Sequence, residues 1–120
     1  MPIVGVEIVL KENETISENL ASNLADELGR IFDSPPSSTW VKVRELPAHQ
    51  YAENGGTPKE VFPVFVRIIK SKILKSEIQK EAEQISVAVA NICERHVENV
   101  HIIYEPEGSG RVAFGGKLID

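Results

Sequence analysis

The chain has 120 residues, 42% of them hydrophobic and 26% charged, which suits a single domain able to bury a core of its own. A net charge of -5 excludes a general nucleic-acid binder, which needs a basic face to neutralise phosphates. No apolar run approaches the roughly 20 residues of a membrane span, and no basic region leads into an apolar stretch at the amino terminus, so a cytoplasmic protein without membrane contact is expected. The single cysteine, Cys93, can form no internal disulfide and falls on the apolar stripe of a predicted helix, where packing explains it.

In chain order, the alternating apolar run over 3–10 predicts a first strand. A helix is expected from about Thr15, whose hydroxyl can cap it while Glu18 completes a capping box. Leu20, Leu24, Leu28, Ile31 and Phe32 recur at helical spacing on its inner face. The Ser34-Pro-Pro-Ser-Ser segment stops that helix, because proline donates no backbone hydrogen bond and disfavours helical geometry in the residue before it. Trp40 to Leu46 reads as a second strand. Residues 47–60, rich in Gly, Pro, Asn and charge, read as a connection and a candidate active-site loop. Residues 63–69 predict a third strand and about 75–97 a second helix, striped by Ile78, Ala82, Ile85, Val89 and Ile92. Val100 to Tyr104 predicts the last strand.

These elements repeat. Pro2-Ile-Val-Gly-Val-Glu-Ile-Val-Leu-Lys11 is echoed by Pro63-Val-Phe-Val-Arg-Ile-Ile-Lys70, and Gly55-Gly56 by Gly115-Gly116. Pro2 to Gly55 is 53 positions, Pro63 to Gly115 is 52, and Glu45 and Glu105, each near a proline, are 60 apart. Residues 1–120 therefore read as one domain with an internal repeat, 2–60 and 63–118. The charge divides with it: residues 1–60 carry 5 Lys/Arg against 10 Asp/Glu, and 61–120 carry 8 against 8. The fold class expected is α+β, two tandem β-α-β units making a four-stranded mixed sheet. Right-handed crossovers put both helices on one face. The strands read as apolar on both faces, so the uncovered face is expected to bury itself against other subunits. Glu7 and Arg67, at matching positions in the two copies, are candidates for an ion pair on that face.

Taken together, a proline after the initiator methionine that opens a strand, a helix, a Val-x-Val strand and a terminal Gly-Gly resemble the tautomerase superfamily. Val41-Lys-Val-Arg-Glu-Leu-Pro-Ala-His49 and Arg111-Val-Ala-Phe-Gly-Gly-Lys-Leu118 are the most similar segments. Each half is similar to 4-oxalocrotonate tautomerase, and the whole to fused members such as the cis-3-chloroacrylic acid dehalogenase and macrophage migration inhibitory factor groups. The resemblance implies a homotrimer and no cofactor. It also implies that Pro2, freed of Met1, is a general base, because an α-amino group ionises near pH 7.7–8.0 and burial or nearby cations lower that further. Pro63 cannot act so, its nitrogen being locked in a peptide bond.

The implied reaction moves a proton on a small unsaturated 2-oxo or 2-hydroxy carboxylic acid. Family substrates are carboxylates held by arginines; here lysines stand after the strands, Lys11 in the first copy and Lys70 and Lys72 in the second. Lysine lacks the bidentate fork of arginine. Lys42 and His101 fill the Val-x-Val position, with Arg44 and Arg111 as further cations and Val112 and Phe114 as an apolar wall. The expected site is therefore Pro2 with Lys70, Lys72, His101, Arg111 and Phe114. Ala113 stands where the dehalogenases carry a water-activating glutamate, so hydrolytic dehalogenation is not expected. The competing reading is a non-catalytic trimeric binding or scaffold protein of the same fold. No metal-ligand cluster, phosphate-cradling loop or nucleophile, histidine and acid arrangement is evident in the sequence.

Overall fold

The computed structural model describes residues 1–120. The alternating run near the amino terminus forms β1 (Ile3–Val9), and α1 (Leu20–Ile31) then returns the chain to β2 (Trp40–Leu46). The second unit is β3 (Val64–Ile69), α2 (Lys75–Cys93) and β4 (Val100–Tyr104). The four strands form one mixed sheet in the order β2-β1-β3-β4, parallel within each unit and antiparallel where the units meet at β1 and β3. A small hairpin, β5 (Ala113–Phe114) and β6 (Lys117–Leu118), follows. Its turn is Gly115-Gly116, both at positive φ (58° and 89°), which a two-residue hairpin loop requires and glycine adopts without steric cost.

Both helices cover the same face. Val4, Val6 and Ile8 of β1 and Val64, Val66 and Ile68 of β3 are buried with Leu20, Leu24 and Leu28 of α1 and Ile85, Val89 and Cys93 of α2. Each fully buried Leu or Ile there contributes roughly 1.5–3 kcal/mol by leaving water. Cys93 is core, as its helical position implied, and burial pushes its thiol up to about 11.

The other face is open, and its composition corrects the expectation of a second apolar surface. By strand alternation it presents Ile3, Gly5 and Glu7 of β1, Trp40, Lys42 and Arg44 of β2, Phe65, Arg67 and Ile69 of β3, and His101 and Ile103 of β4. Charge and apolar surface are interleaved there. The expected Glu7 and Arg67 pair does not form: antiparallel register sets Arg67 opposite Gly5 and Glu7 opposite Phe65. Arg67 pairs with Glu105 instead, at 2.7 Å.

Two helix boundaries also differ from the sequence reading. α1 begins at Leu20, not Thr15, and Ser17 rather than Thr15 takes the N–H groups ahead of it, its hydroxyl accepting from Asn19 and its carbonyl from Leu20. Upstream, Glu14 accepts from the Lys11 N–H and from both terminal nitrogens of Arg95. α2 ends at Cys93 rather than near residue 97, because Glu94 takes the left-handed conformation (φ 55°) and turns Arg95 inward. Arg95 is 3% exposed and donates to the carbonyls of Phe62, Cys93 and Val9 besides Glu14. One guanidinium thus ties together the ends of β1 and α2 and the approach to β3.

This clamp makes stability depend on pH. The Arg95 guanidinium, by hydrogen bonding first and by its charge second, holds the Glu14 carboxyl below its ordinary value of 4.5. The folded state thus binds a proton less readily than the unfolded one, and the stabilisation is present above the unfolded carboxyl's range and lost as pH falls through the folded value. In denaturant titrations from pH 7 to pH 3, Glu14→Gln is expected to show a shallower loss of stability on acidification than the parent. Parallel curves would contradict the assignment.

Candidate active site

Pro2 is buried, and its carbonyl accepts the Trp40 N–H at 3.0 Å, which anchors the start of β1 to β2. Ile3 lies opposite Ile69 in the antiparallel register. Extending that register and the strand alternation by one residue puts Pro2 and Lys70 at the same end of the sheet, on the side of the helices. Tyr104, paired with Ile68 on β4, reaches the same end of the sheet. The repeat thus brings the start of one unit against the strand end of the other, so residues 68 positions apart share one site.

On the open side an apolar collar surrounds that end. The Phe114 ring stands edge-on to Trp40 at 5.2 Å between centroids, which places the β5–β6 hairpin against β2. The Trp40 indole N–H donates to the Ser37 carbonyl at 2.9 Å and is thereby fixed. The loop after β4 closes over the strand ends through Gly108 N–H to Lys70 carbonyl (2.7 Å) and Ser109 N–H to Ser71 carbonyl (3.1 Å). Gly108 is closely packed: a Cβ there would come 3.1 Å from Val112 and 3.3 Å from Ile69, and 2.6 Å from the end of the flexible Met1 side chain. The end of the Met1 side chain, Ile69 and Val112 therefore converge around Gly108.

On the helix side, the Lys70 ammonium donates to Glu81 Oε2 at 2.8 Å and lies 5.4 Å from the Phe32 ring centroid. The Tyr104 hydroxyl donates to Glu81 Oε1, also at 2.8 Å, and burial followed by that hydrogen bond pushes its ionisation well above the ordinary phenol range. Lys72 lines a small cavity of about 90 Å³ with Lys70, Glu77 and Glu81.

Of the residues singled out from sequence, Pro2, Lys70, Lys72 and Phe114 gather at this end. Arg111 is exposed and adjoins the collar through Val112, its own N–H donating to the Gly108 carbonyl at 2.8 Å. His101 is elsewhere: it is on the open face, stacked at 5.5 Å on Phe65, which lies opposite Glu7. Glu7 is five residues along β1 from Pro2, roughly 16 Å at 3.3 Å per residue. Within one chain His101 does not meet Pro2. The connection after β2 also lies by that distant group, Tyr51 packing on Phe65 at 6.0 Å. Sequence reasoning missed Glu81, Tyr104 and Trp40. Glu81 sits on the helical face that carries Ile78 and Ile85, and an acid there next to an apolar stripe was the one available sign.

The open face holds a groove of about 420 Å³ lined by Gly5, Lys42, Arg44, Phe65 and Arg67 among others, away from Pro2. No group of three or more His, Cys, Asp or Glu side chains is placed to hold a metal ion, and no helix is long and apolar enough to cross a membrane.

No protein-family model matches the chain, and no curated protein matches it. Solved structures do. The macrophage migration inhibitory factor of Trichinella spiralis superposes with a TM-score of 0.72 at 15% identity, over 97% of this chain and 98% of that one. A fused 4-OT solved as an asymmetric trimer gives 0.74 at 14% identity, over 95% and 94%. A protein solved after inactivation by 2-oxo-3-pentynoate gives 0.74 at 14% identity, over 97% and 95%. Nearly end to end, the chain has the fold of these structures.

Proposed function

We propose that the protein is a cofactor-independent tautomerase or isomerase that moves a proton on a small unsaturated 2-oxo or 2-hydroxy carboxylic acid, with Pro2 as general base. The observation that carries the reading is the placement of Pro2. It stands at the inner edge of the sheet, between an apolar collar and a lysine, in a fold shared with a macrophage migration inhibitory factor and a fused 4-OT.

The chemistry requires that Met1 be removed, which converts the proline nitrogen from an amide to a secondary amine. The same cleavage withdraws the side chain whose methyl lies against Gly108, so one event both makes the base and clears apolar space by Gly108. The neutral amine then takes a proton from the carbon adjacent to the substrate carbonyl and returns it at the other end of the enol system. Negative charge grows on the carbonyl oxygen as the proton leaves, and the N–H groups of Lys70 are the donors we assign to receive it. Lys72 and Arg111 are the cations available to the carboxylate, and Phe114, Trp40 and Val112 enclose the carbon chain.

We further propose a homotrimer assembled through the open face, which still exposes Trp40 by half and Ile103 by a third. A neighbour of the same fold, solved as a trimer, supports this. In such an assembly His101 would face a neighbouring copy and serve the site of that copy rather than its own. Sedimentation at micromolar concentration is expected to give three times the 13.3 kDa chain mass, and a monomer would contradict it. The activity itself is tested by deuterium uptake at C3 of 2-oxobutanoate, using protein whose intact mass shows Met1 removed. Exchange no faster than buffer across a panel of 2-oxo acids would favour the non-catalytic binding or scaffold reading of the fold.

A further inference from the structure

Lys70 does not offer a free positive charge. Its ammonium and the Tyr104 hydroxyl each donate to one oxygen of the Glu81 carboxylate, so β3, β4 and α2 converge on a single acid. The ion pair is sheltered, the Lys70 side chain being 25% exposed and that of Glu81 17%. The one proton of Tyr104 is spent on Glu81, whereas the ammonium keeps two N–H groups for other acceptors. At this spot the charges of lysine and glutamate cancel, and what remains is a fixed hydrogen-bond donor.

We propose that Glu81 is the positioning and specificity residue of the Pro2 site: by neutralising and fixing Lys70 it directs the substrate's carbonyl oxygen to Lys70 and its carboxylate away from it. This rests on the reading of Pro2 as the base. A carboxylate at Lys70 would be placed against that of Glu81 and repelled, whereas a carbonyl oxygen meets only the two remaining donors. The carboxylate end of the substrate is thereby left to Lys72 or Arg111, and the carbon next to the carbonyl is turned toward Pro2.

The same pair sets the basicity of Pro2. An uncompensated ammonium close by would penalise the protonated amine and lower its ionisation, and Glu81 offsets that penalty. Of the acids around this end, Glu81 is the one that Lys70 is bonded to. Glu107 accepts the Ile73 N–H, Glu105 holds Arg67 on the open side, and Glu27 and Arg30 of α1 pair with each other. Lys72 and Glu77 line the small cavity behind Lys70, and Arg111 is exposed.

Glu81→Gln keeps the shape and one of the two acceptor oxygens while removing the charge. In processed protein, kcat and KM are measured against pH by deuterium uptake at C3 of 2-oxobutanoate and of its methyl ester. The variant is expected to move the acid limb of kcat/KM downward by about half a unit to one unit, through loss of the compensating charge. It is also expected to lower KM for the acid several-fold relative to the ester. Glu81→Asp, which restores the charge, should bring back the parent's acid limb. A merely structural role would slow both substrates together and move neither the limb nor the ratio, and that result overturns the proposal. If Glu81→Gln does not fold, Lys70→Met reports instead: it leaves Glu81 uncompensated and must raise the acid limb, an unmoved limb being the refutation. Butanoate and methyl butanoate, which cannot react, keep the reading of Pro2 separate. Should that reading fall, tighter binding of butanoate by Glu81→Gln at unchanged ester affinity still upholds the role of Glu81, and equal affinities overturn it.

Discussion

Inserting one residue between Met1 and Pro2 is expected to lower kcat/KM toward 2-oxobutanoate by about 10²–10⁴, the contribution usual for a positioned general base. The insertion leaves every side chain of the site in the chain but acylates the proline nitrogen, which then carries no basic lone pair. Folding should be unaffected, because the pairing of β1 begins at Ile3 and the Pro2 carbonyl still accepts from Trp40. Pro2→Ala in processed protein should fall between the two, since alanine keeps a terminal amine of similar basicity but loses the ring that fixes the direction of the nitrogen. Full activity of the insertion variant, with intact mass proving the proline acylated, would remove Pro2 from the mechanism.

Arg95→Met is expected to cost about 3–5 kcal/mol, the range for breaking a buried charge pair by removing one partner. The arginine is 3% exposed, and its loss orphans acceptors on four segments at once: Glu14 and the carbonyls of Val9, Phe62 and Cys93. Against a total stability of about 5–15 kcal/mol this is a large fraction, and the melting temperature should fall by more than about 10 °C at matched protein concentration. Calorimetry at pH 7 reads it directly. A loss under about 1 kcal/mol would mean that the clamp is replaced by water without strain. The double variant Arg95→Met with Glu14→Gln should recover part of the loss, because the uncompensated carboxylate is then gone.

Much of the architecture was legible in the residues, for identifiable reasons. β2 and β4 run from Trp40 to Leu46 and from Val100 to Tyr104, as read, because β-branched and aromatic runs bounded by turn residues have few alternatives. The leucine stripe of α1 and the placement of Cys93 in the core followed from helical period alone. The start of α1 and the end of α2 did not; at the latter, Arg95 turns inward to Glu14, 81 positions away, and neither carries a local sign of the other. The second face of the sheet was misread for a related reason. A strand pattern says which residues share a side but not the register in which neighbouring strands pair, so Glu7 and Arg67, on adjacent strands, shared a face without standing opposite each other. For the site, sequence named Pro2, Lys70, Lys72 and Phe114, which the fold gathers, and His101, which one chain holds far from Pro2.

Local rules and repetition within 120 residues were enough for two β-α-β units, their shared sheet, the common side of the helices and a proline worth watching. Tertiary structure alone decided what that proline faces. The antiparallel seam between β1 and β3 sets Ile3 opposite Ile69 and so brings Lys70 to the end of the sheet where Pro2 lies, and α2 then delivers Glu81 to that lysine and to Tyr104. Charge in a sequence is counted residue by residue, but charge at a site is a sum over neighbours, and only the packed chain says which neighbours enter the sum.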